Sequence, residues 1–226
     1  MKIIAHIRND FKEKFGIPRQ SGLVKGTRAA IVFEEEYRNP DALRGIEGFS
    51  HLWLIWSFSK AQRDTWSPTV RPPRLGGNQR MGVFATRSPY RPNAVGLSCV
   101  ELIDVKLHTE NGPVLIVGGA DLLDGTPIYD IKPYLPHADC HPEATGGFSS
   151  DKVAYALKVQ FPEKLLERID EDKRDVVMEL LSQDPRPSYQ NDPERVYGMA
   201  YGAWNVKFTV SGGTLTVIAV ETEEEK

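Results

Sequence analysis

The chain has 226 residues, 40% of them hydrophobic and 26% charged, with a formal net charge of -3. That is enough chain to bury a core without disulfide or metal staples, in one large domain or one domain plus a small one. The balance argues against a bulk polycationic coat for nucleic acid. Cys99 and Cys140 are too few for a disulfide framework, and the longest apolar run, HLWLIWSF from His51, is too short to cross a bilayer. The start MKIIAHIRNDFKEKFG does not have the form of a secretory signal, so a cytoplasmic protein is expected.

Taken in chain order, KIIAHIR alternates and RAAIVFEE is a short run between turn signals, so both read as strands. NPDALRGIEG reads as a single helical turn ending at Gly45 or Gly48. SHLWLIWSFS is apolar on both faces, and Trp53, Ile55 and Trp56 favour a central strand. MGVFATR, AVGLSCVELIDVKLH and PVLIVGGADLLD are three more strand candidates, with Asn111–Gly112 marking a tight hairpin between the last two. No helical period interrupts this region. Strands without crossover helices argue for antiparallel pairing, hence a barrel or sandwich rather than a doubly wound sheet.

The texture changes at KPYLPHADCHPEATGGFSSD, which is rich in Pro, Gly and Ser and reads as a linker. KVAYALKVQF then alternates as a strand. PEKLLERIDEDKRDVVMELLSQ puts Leu165, Leu166, Ile169, Val176, Val177, Leu180 and Leu181 at helical spacing, with Pro162 suited to a first turn and Asp170 to a second cap. DPRPSYQND breaks this pattern. GAWNVKFTV and LTVIAVE close as a hairpin around Gly212–Gly213, which completes a small α+β unit.

Several familiar chemistries find no motif here. GGNQRMG lacks the Gly-Lys-Ser/Thr of a phosphate loop, and the Gly118–Gly119 pair is neither G-x-G-x-x-G nor followed by a helix. His137, Asp139, Cys140 and His141 could clip a metal. Four ligands from so short a loop surround a tetrahedral ion with difficulty, so no metal is expected.

Between Lys60 and Arg91 the basic residues are Lys60, Arg63, Arg71, Arg74, Arg80, Arg87 and Arg91, and the only acid is Asp64. Trp66, Phe84 and Tyr90 are interleaved, which favours an ordered anion-binding surface over a merely solvated face. Within SPYRPN, Pro89 and Pro92 make a rigid turn before the strand at Val95. The turn fixes Arg87 and Arg91, whose forks match carboxylates and phosphates. In ADLLDGTPIYDIKPYLP the acids Asp121, Asp124 and Asp130 lie near Tyr129, Lys132 and Tyr134, which suggests a site wall. FGIPRQSG exposes Arg19 and Gln20 on a third loop.

These stretches carry a resemblance. TRSPYRPNAVGLS, with EKFGIPRQSGLV, GFSHLWLIW, TVRPPRLGG, DLLDGTPIYDIKPYLP and QDPRPSY, resembles the TsaA-like family, whose bacterial members are TrmO-type tRNA (adenine(37)-N6)-methyltransferases. The resemblance implies a mainly β fold. It has an N-terminal antiparallel β-barrel-like, non-Rossmann domain over 1–138 that binds S-adenosyl-L-methionine, a linker over 139–151, and a small α+β tRNA-binding domain over 152–226. It also implies a homodimer and N6-methylation of threonylcarbamoyladenosine beside the anticodon. A non-catalytic RNA-binding module, or a methyltransferase for another substrate, are the alternatives.

Carried over onto this sequence, the cofactor site draws on Pro18, Arg19, Gln20, Ser59, Lys60, Arg87, Leu97 and the run Asp121, Leu122, Leu123, Asp124, Gly125 and Thr126. SFSK departs from the histidine expected near Ser59, so only a backbone contact would survive there. Asp124, Asp130 and Tyr134 are candidates to orient or deprotonate the target N–H, and Asn93 to hold the adenine edge. Arg71, Arg74, Arg80, Arg91 and Arg186 would meet RNA phosphates, with Tyr189 or Trp66 stacking on a base.

Overall fold

The structure is a computed structural model that describes residues 1–61, 65–72, 79–152, 155–187, 190 and 192–222, the side chains of 150–152 apart. Alternating apolar residues set the first sheet. The strands are β1 (Ala5–Asn9), β2 (Arg28–Phe33), β3 (His51–Ser57), β4 (Thr69–Val70), β5 (Met81–Gly82), β6 (Val95–Thr109), β7 (Gly112–Gly118) and β8 (Pro127–Pro133). Six of them close into a barrel in the order β1-β2-β7-β6-β3-β8, while β4 and β5 form a separate ribbon. Every barrel pairing is antiparallel. Closure removes the exposed sheet edges that would otherwise invite aggregation. The inward set, including Ile7, Ile31, Leu52, Leu54, Leu115 and Ile128, is fully buried.

The chain then runs through a short helix α1 (Pro136–Asp139) and a 3-10 segment (Gly147–Lys152) into β9 (Lys158–Gln160), α2 (Glu163–Leu166), α3 (Glu171–Ser182), β10 (Tyr197–Tyr201), β11 (Trp204–Ser211) and β12 (Thr214–Thr222). The second sheet has the order β10-β11-β12-β9, with β9 parallel to β12. Val176, Val177, Leu180 and Leu181 form the buried stripe of α3.

The second core is not made by the C-terminal segment alone. Phe11 and Val24, from the loop between β1 and β2, are buried in it, and Phe15 and Ile17 pack against it. Phe11 meets Tyr201 edge-on at 5.4 Å, and Phe15 stacks parallel to Tyr197. The Asp10 carbonyl accepts from Gly202 N at 2.9 Å, and its carboxylate accepts from Lys173 Nζ at 2.7 Å. Gly16 has φ 90, and a Cβ there would lie 2.5 Å from Met199 Cγ, so both its backbone and its packing require glycine.

Several sequence expectations need correction. MGVFATR is a strand only at Met81–Gly82; a 3-10 turn follows at Val83–Ala85, because Val83 N turns away to the Pro68 carbonyl. NPDALRGIEG forms two 3-10 turns, Pro40–Leu43 and Ile46–Gly48, separated by left-handed Gly45. Among the described residues of KVAYALKVQF, pairing is confined to Lys158–Gln160, where β12 offers an edge. Asp170 occupies the cap position of α3, but its side chain makes no capping bond. PVLIVGGADLLD leaves the sheet after Gly118, at Gly119 with φ 72. Strand β10 was not anticipated.

Candidate active site

An open cavity of about 650 Å³ lies at one mouth of the barrel. Four segments border it: the 17–20 loop, the end of β3 with 58–61, the 86–91 turn with the start of β6, and the loop after β7. Its volume is in the range of small-molecule sites.

The floor is a short polar chain. Trp56 Nε1 donates to Ser98 Oγ at 2.9 Å, and Ser98 Oγ donates to Asp121 Oδ1 at 2.5 Å. Gly96 pairs with Trp56 across β3 and β6, and a Cβ there would collide with the indole. Burial pushes the Asp121 carboxyl above the usual carboxylate range, although the Ser98 bond and the Arg87 charge oppose this. Beside this floor lie apolar surfaces: Leu97 is 51% exposed, and Phe58 packs 4.3 Å from Trp56.

The rim carries the cations. Arg87 Nη1 donates to Gln20 Oε1. Arg19 Nη2 donates to the carbonyls of Asp184 and Arg186, each at 3.2 Å, so the second domain braces this rim. The 86–91 turn is cross-linked internally. Ser88 N donates to Thr86 Oγ1, Tyr90 N to Ser88 Oγ, and Arg91 Nη1 to the Thr86 carbonyl, each at 3.3 Å. Pro89 and Pro92 stiffen it further.

The cavity brings together Pro18, Arg19, Gln20, Ser59, Lys60, Arg87, Arg91, Leu97, Asp121, Leu123 and Thr126. Other expected residues lie elsewhere. Leu122 points into the barrel core at 1% exposure, and Gly125 is a turn residue whose N–H donates to the Ile7 carbonyl. Asp124 turns to Lys12 Nζ at 2.9 Å and Asn9 N at 3.0 Å. Burial alone would raise its pKa, but these bonds and Arg8 outweigh it and hold the carboxyl below its ordinary value.

Asp130 pairs with Lys132 at 3.0 Å, and Tyr134 packs on Trp53 at 5.7 Å. Neither borders the cavity, because both follow the β8 strand away from that mouth. Asp124, Asp130 and Tyr134 therefore lie outside the set of residues that borders this cavity. Asn93 borders a second, adjoining cavity instead.

Arg186 is placed unlike a surface arginine. It is only 8% exposed and forms a two-pronged pair with Asp184 at 2.8 and 3.0 Å, so its guanidinium is occupied inside the protein rather than presented to RNA. Asp184 reaches it from a left-handed backbone, φ 51. Arg71 and Arg80 sit on the β4–β5 ribbon, and Arg80 Nη1 donates to Thr69 Oγ1 at 2.9 Å. Arg74 and Tyr189 lie outside the described residues. Trp66 stacks on Phe84 at 6.1 Å, and both rings are exposed.

Around HADCH, Asp139 accepts from Trp53 Nε1 and Leu135 N, both at 2.9 Å. Among the described residues no group of three His, Cys, Asp or Glu side chains gathers where an ion could sit. The expected set missed Trp56, Phe58 and Thr86 on the cavity wall, and Ser98 beneath it. The signal for Trp56 and Ser98 was their position near the site-bearing ends of β3 and β6, with Gly96 leaving room for a large neighbour.

The molecule is a closed antiparallel β-barrel without a dinucleotide fold, with a ligand-sized cavity at its mouth, a half-buried acid on the cavity floor and arginines on its rim. Comparison with known proteins narrows this. The model for the tRNA-methyltransferase O N-terminal domain matches residues 6–140, and that for the TrmO C-terminal domain matches residues 154–223. A tRNA (adenine(37)-N6)-methyltransferase of Escherichia coli (strain K12) is 43% identical over 228 residues, covering 96% of each chain. A relative from Pseudomonas aeruginosa, 40% identical over 204 residues (87% of this chain, 86% of that one), carries the provisional name S-adenosylmethionine-dependent methyltransferase. A crystal structure of TrmO from Pseudomonas aeruginosa superposes with a TM-score of 0.78 at 33% identity, over 97% of this chain and 95% of that one. The chain belongs to the tRNA-methyltransferase O family.

Proposed function

We infer that this chain methylates N6 of adenosine 37 in tRNA with S-adenosylmethionine as donor, and that the adenosine it accepts carries a threonylcarbamoyl group. Family membership along nearly the whole chain supports the reaction. The observation that carries the site is the cavity of about 650 Å³ bordered by the arginine–proline turn.

The cavity suits the donor. Arg87, Arg19 and Gln20 at the rim match an amino-acid carboxylate. Asp121 on the floor, held by the buried Ser98 hydroxyl, can accept from ribose hydroxyls, and Leu97, Trp56 and Phe58 supply apolar surface. When bound, S-adenosylmethionine supplies an electrophilic methyl group on a sulfonium. Positive charge on sulfur disappears during transfer, so the protein contributes alignment and water exclusion more than strong acid–base chemistry. The rigid 86–91 turn and the Trp56–Ser98–Asp121 chain hold the walls for that purpose. Asp121 is the only carboxylate among the described residues that border the cavity. Its raised pKa makes it a better proton acceptor than an ordinary carboxylate.

The RNA surface is the β4–β5 ribbon with Arg71, Arg80, Trp66 and Phe84. Ser67 N donates to the Tyr90 carbonyl at 3.3 Å, which ties that ribbon to the cavity's lip. A homodimer would present the surface twice. No helix among the described residues is long and apolar enough to cross a membrane, and a tRNA substrate fits a cytoplasmic location.

The test is methyl transfer. Purified protein, S-adenosylmethionine and tRNA bearing threonylcarbamoyladenosine are incubated, and the released nucleosides are weighed by mass spectrometry. One added methyl on that nucleoside is expected. No methylated nucleoside, with donor binding demonstrated, would overturn the substrate.

A further inference from the structure

A second cavity of about 280 Å³ adjoins the first and shares Pro89, Tyr90, Arg91 and Val95 with it. Its remaining wall includes Asn93, Tyr129 and the start of the chain at Met1. The lip from Pro89 to Val95 therefore separates two compartments. The arginine in that lip borders both of them.

We propose that this second cavity holds the threonylcarbamoyl side chain of the target adenosine, with Arg91 meeting its carboxylate; the proposal rests on the function inferred above. Connectivity is the first argument. The atom that accepts the methyl group is the same nitrogen that bears the side chain. The compartment for the side chain must then open within a few bonds of the point of transfer, and a cavity across a shared lip meets that demand.

Size is the second argument. At about 30 Å³ per water the cavity holds the equivalent of roughly nine waters, which is room for a group of about ten non-hydrogen atoms.

Chemistry is the third. The Arg91 guanidinium makes one bond to the Thr86 carbonyl at 3.3 Å and has no acid partner among the described residues. Its remaining N–H groups can take a carboxylate in the two-pronged manner that arginine favours. The exposed Asn93 amide, whose side chain makes no bond among the described residues, adds a donor for the same carboxylate or the neighbouring hydroxyl. Tyr129 is contributed by an irregularity in the β3–β8 pairing, where Ile55 faces Asp130 and Trp56 faces Ile128, so Tyr129 is the residue left without a partner on β3. Such bulges re-aim side chains beside sites.

The experiment uses the full chain and two synthetic anticodon stem-loops, one with threonylcarbamoyladenosine and one with its threonine amide, which removes the charge. The readout is kcat/KM for methylation of each by mass spectrometry. The wild type is expected to prefer the acid 10- to 100-fold. Arg91→Gln is expected to bring that ratio within threefold of unity, and Arg91→Lys to restore part of it. If Arg91→Gln does not fold, Asn93→Leu replaces it, and its ratio is expected to fall at least threefold. Equal rates on acid and amide by the wild type would overturn the pocket while leaving the methyltransferase in place, as would an Arg91→Gln ratio equal to the wild-type one. Methylation of neither RNA, with full-length tRNA also untouched, would overturn the underlying function and the proposal with it.

Discussion

The barrel and the C-terminal unit bury their apolar side chains in different ways. The barrel core is drawn from its own strands and the loops that join them, from Ala5 to Ile128. The second core takes Phe11 and Val24 from a loop more than a hundred residues earlier in the chain. That same loop carries Pro18, Arg19 and Gln20 to the cavity rim. The barrel supplies the floor of the site by itself, whereas the rim is held from outside it. The second domain thus positions part of the cavity rim, through the carbonyls of Asp184 and Arg186 that hold Arg19.

Substitutions sharpen this contrast to different degrees. The largest effect is expected from Phe11→Ala, which empties a fully buried aromatic position in the second core. A loss of about 3–5 kcal/mol is expected in urea unfolding, with residues of the second domain, not the barrel, losing amide protection first. Asp184→Ala leaves the Arg186 guanidinium buried without its partner and is expected to cost about 3 kcal/mol by the same measurement.

Arg87→Ala removes a rim cation from an exposed position. It is expected to weaken S-adenosylmethionine binding by roughly 10–100-fold in calorimetric titration, while unfolding stability changes by less than about 0.5 kcal/mol.

The smallest effects separate two acids three residues apart. Asp121 has its pKa raised by burial, so its contribution to stability is present below the ordinary carboxylate range and is lost as pH rises through the raised value. Asp124 has its pKa lowered, so its contribution is present above the ordinary range and is lost as pH falls through the lowered value. Stability against pH is expected to gain relative to wild type at neutral pH in Asp121→Asn. It is expected to lose up to about 1 kcal/mol at neutral pH in Lys12→Ala, whose partner Asp124 is left partly exposed.

The barrel was legible because most of its strands read as extended runs and no helix pattern separates them; HLWLIWSF is apolar on both faces, and Trp53, Ile55 and Trp56 favoured a strand there, whereas β8, set in a Pro-, Tyr- and Asp-rich stretch, gave no such signal. The rim and floor residues Arg19, Gln20, Arg87 and Asp121 were legible through their turns and the family resemblance. Three features were not. Phe11 and Phe15 sit in a charged, non-periodic stretch, and nothing local says that their partners are Tyr201 and Tyr197. Arg186 reads as a surface arginine between prolines, and only the left-handed turn at Asp184 folds the acid back onto it. Asp124, Asp130 and Tyr134 share a dense polar stretch with Asp121, but Asp124 is turned to Lys12 and Asn9, and the chain then turns at Gly125 and continues as β8, which leads Asp130 and Tyr134 to another surface.

If the barrel cavity is the donor site and the second domain braces its rim, loosening that brace should weaken donor binding. S-adenosylmethionine should be titrated calorimetrically into the wild type and into Gly16→Ala, a change that presses the loop off Met199 and introduces a side chain at φ 90 without bordering the cavity. The wild type is expected to bind, and the variant to bind roughly tenfold or more weakly while its barrel amides stay protected. Equal affinity in the two proteins would show that the brace is idle, and absence of binding by the wild type would contradict the assignment of the cavity itself.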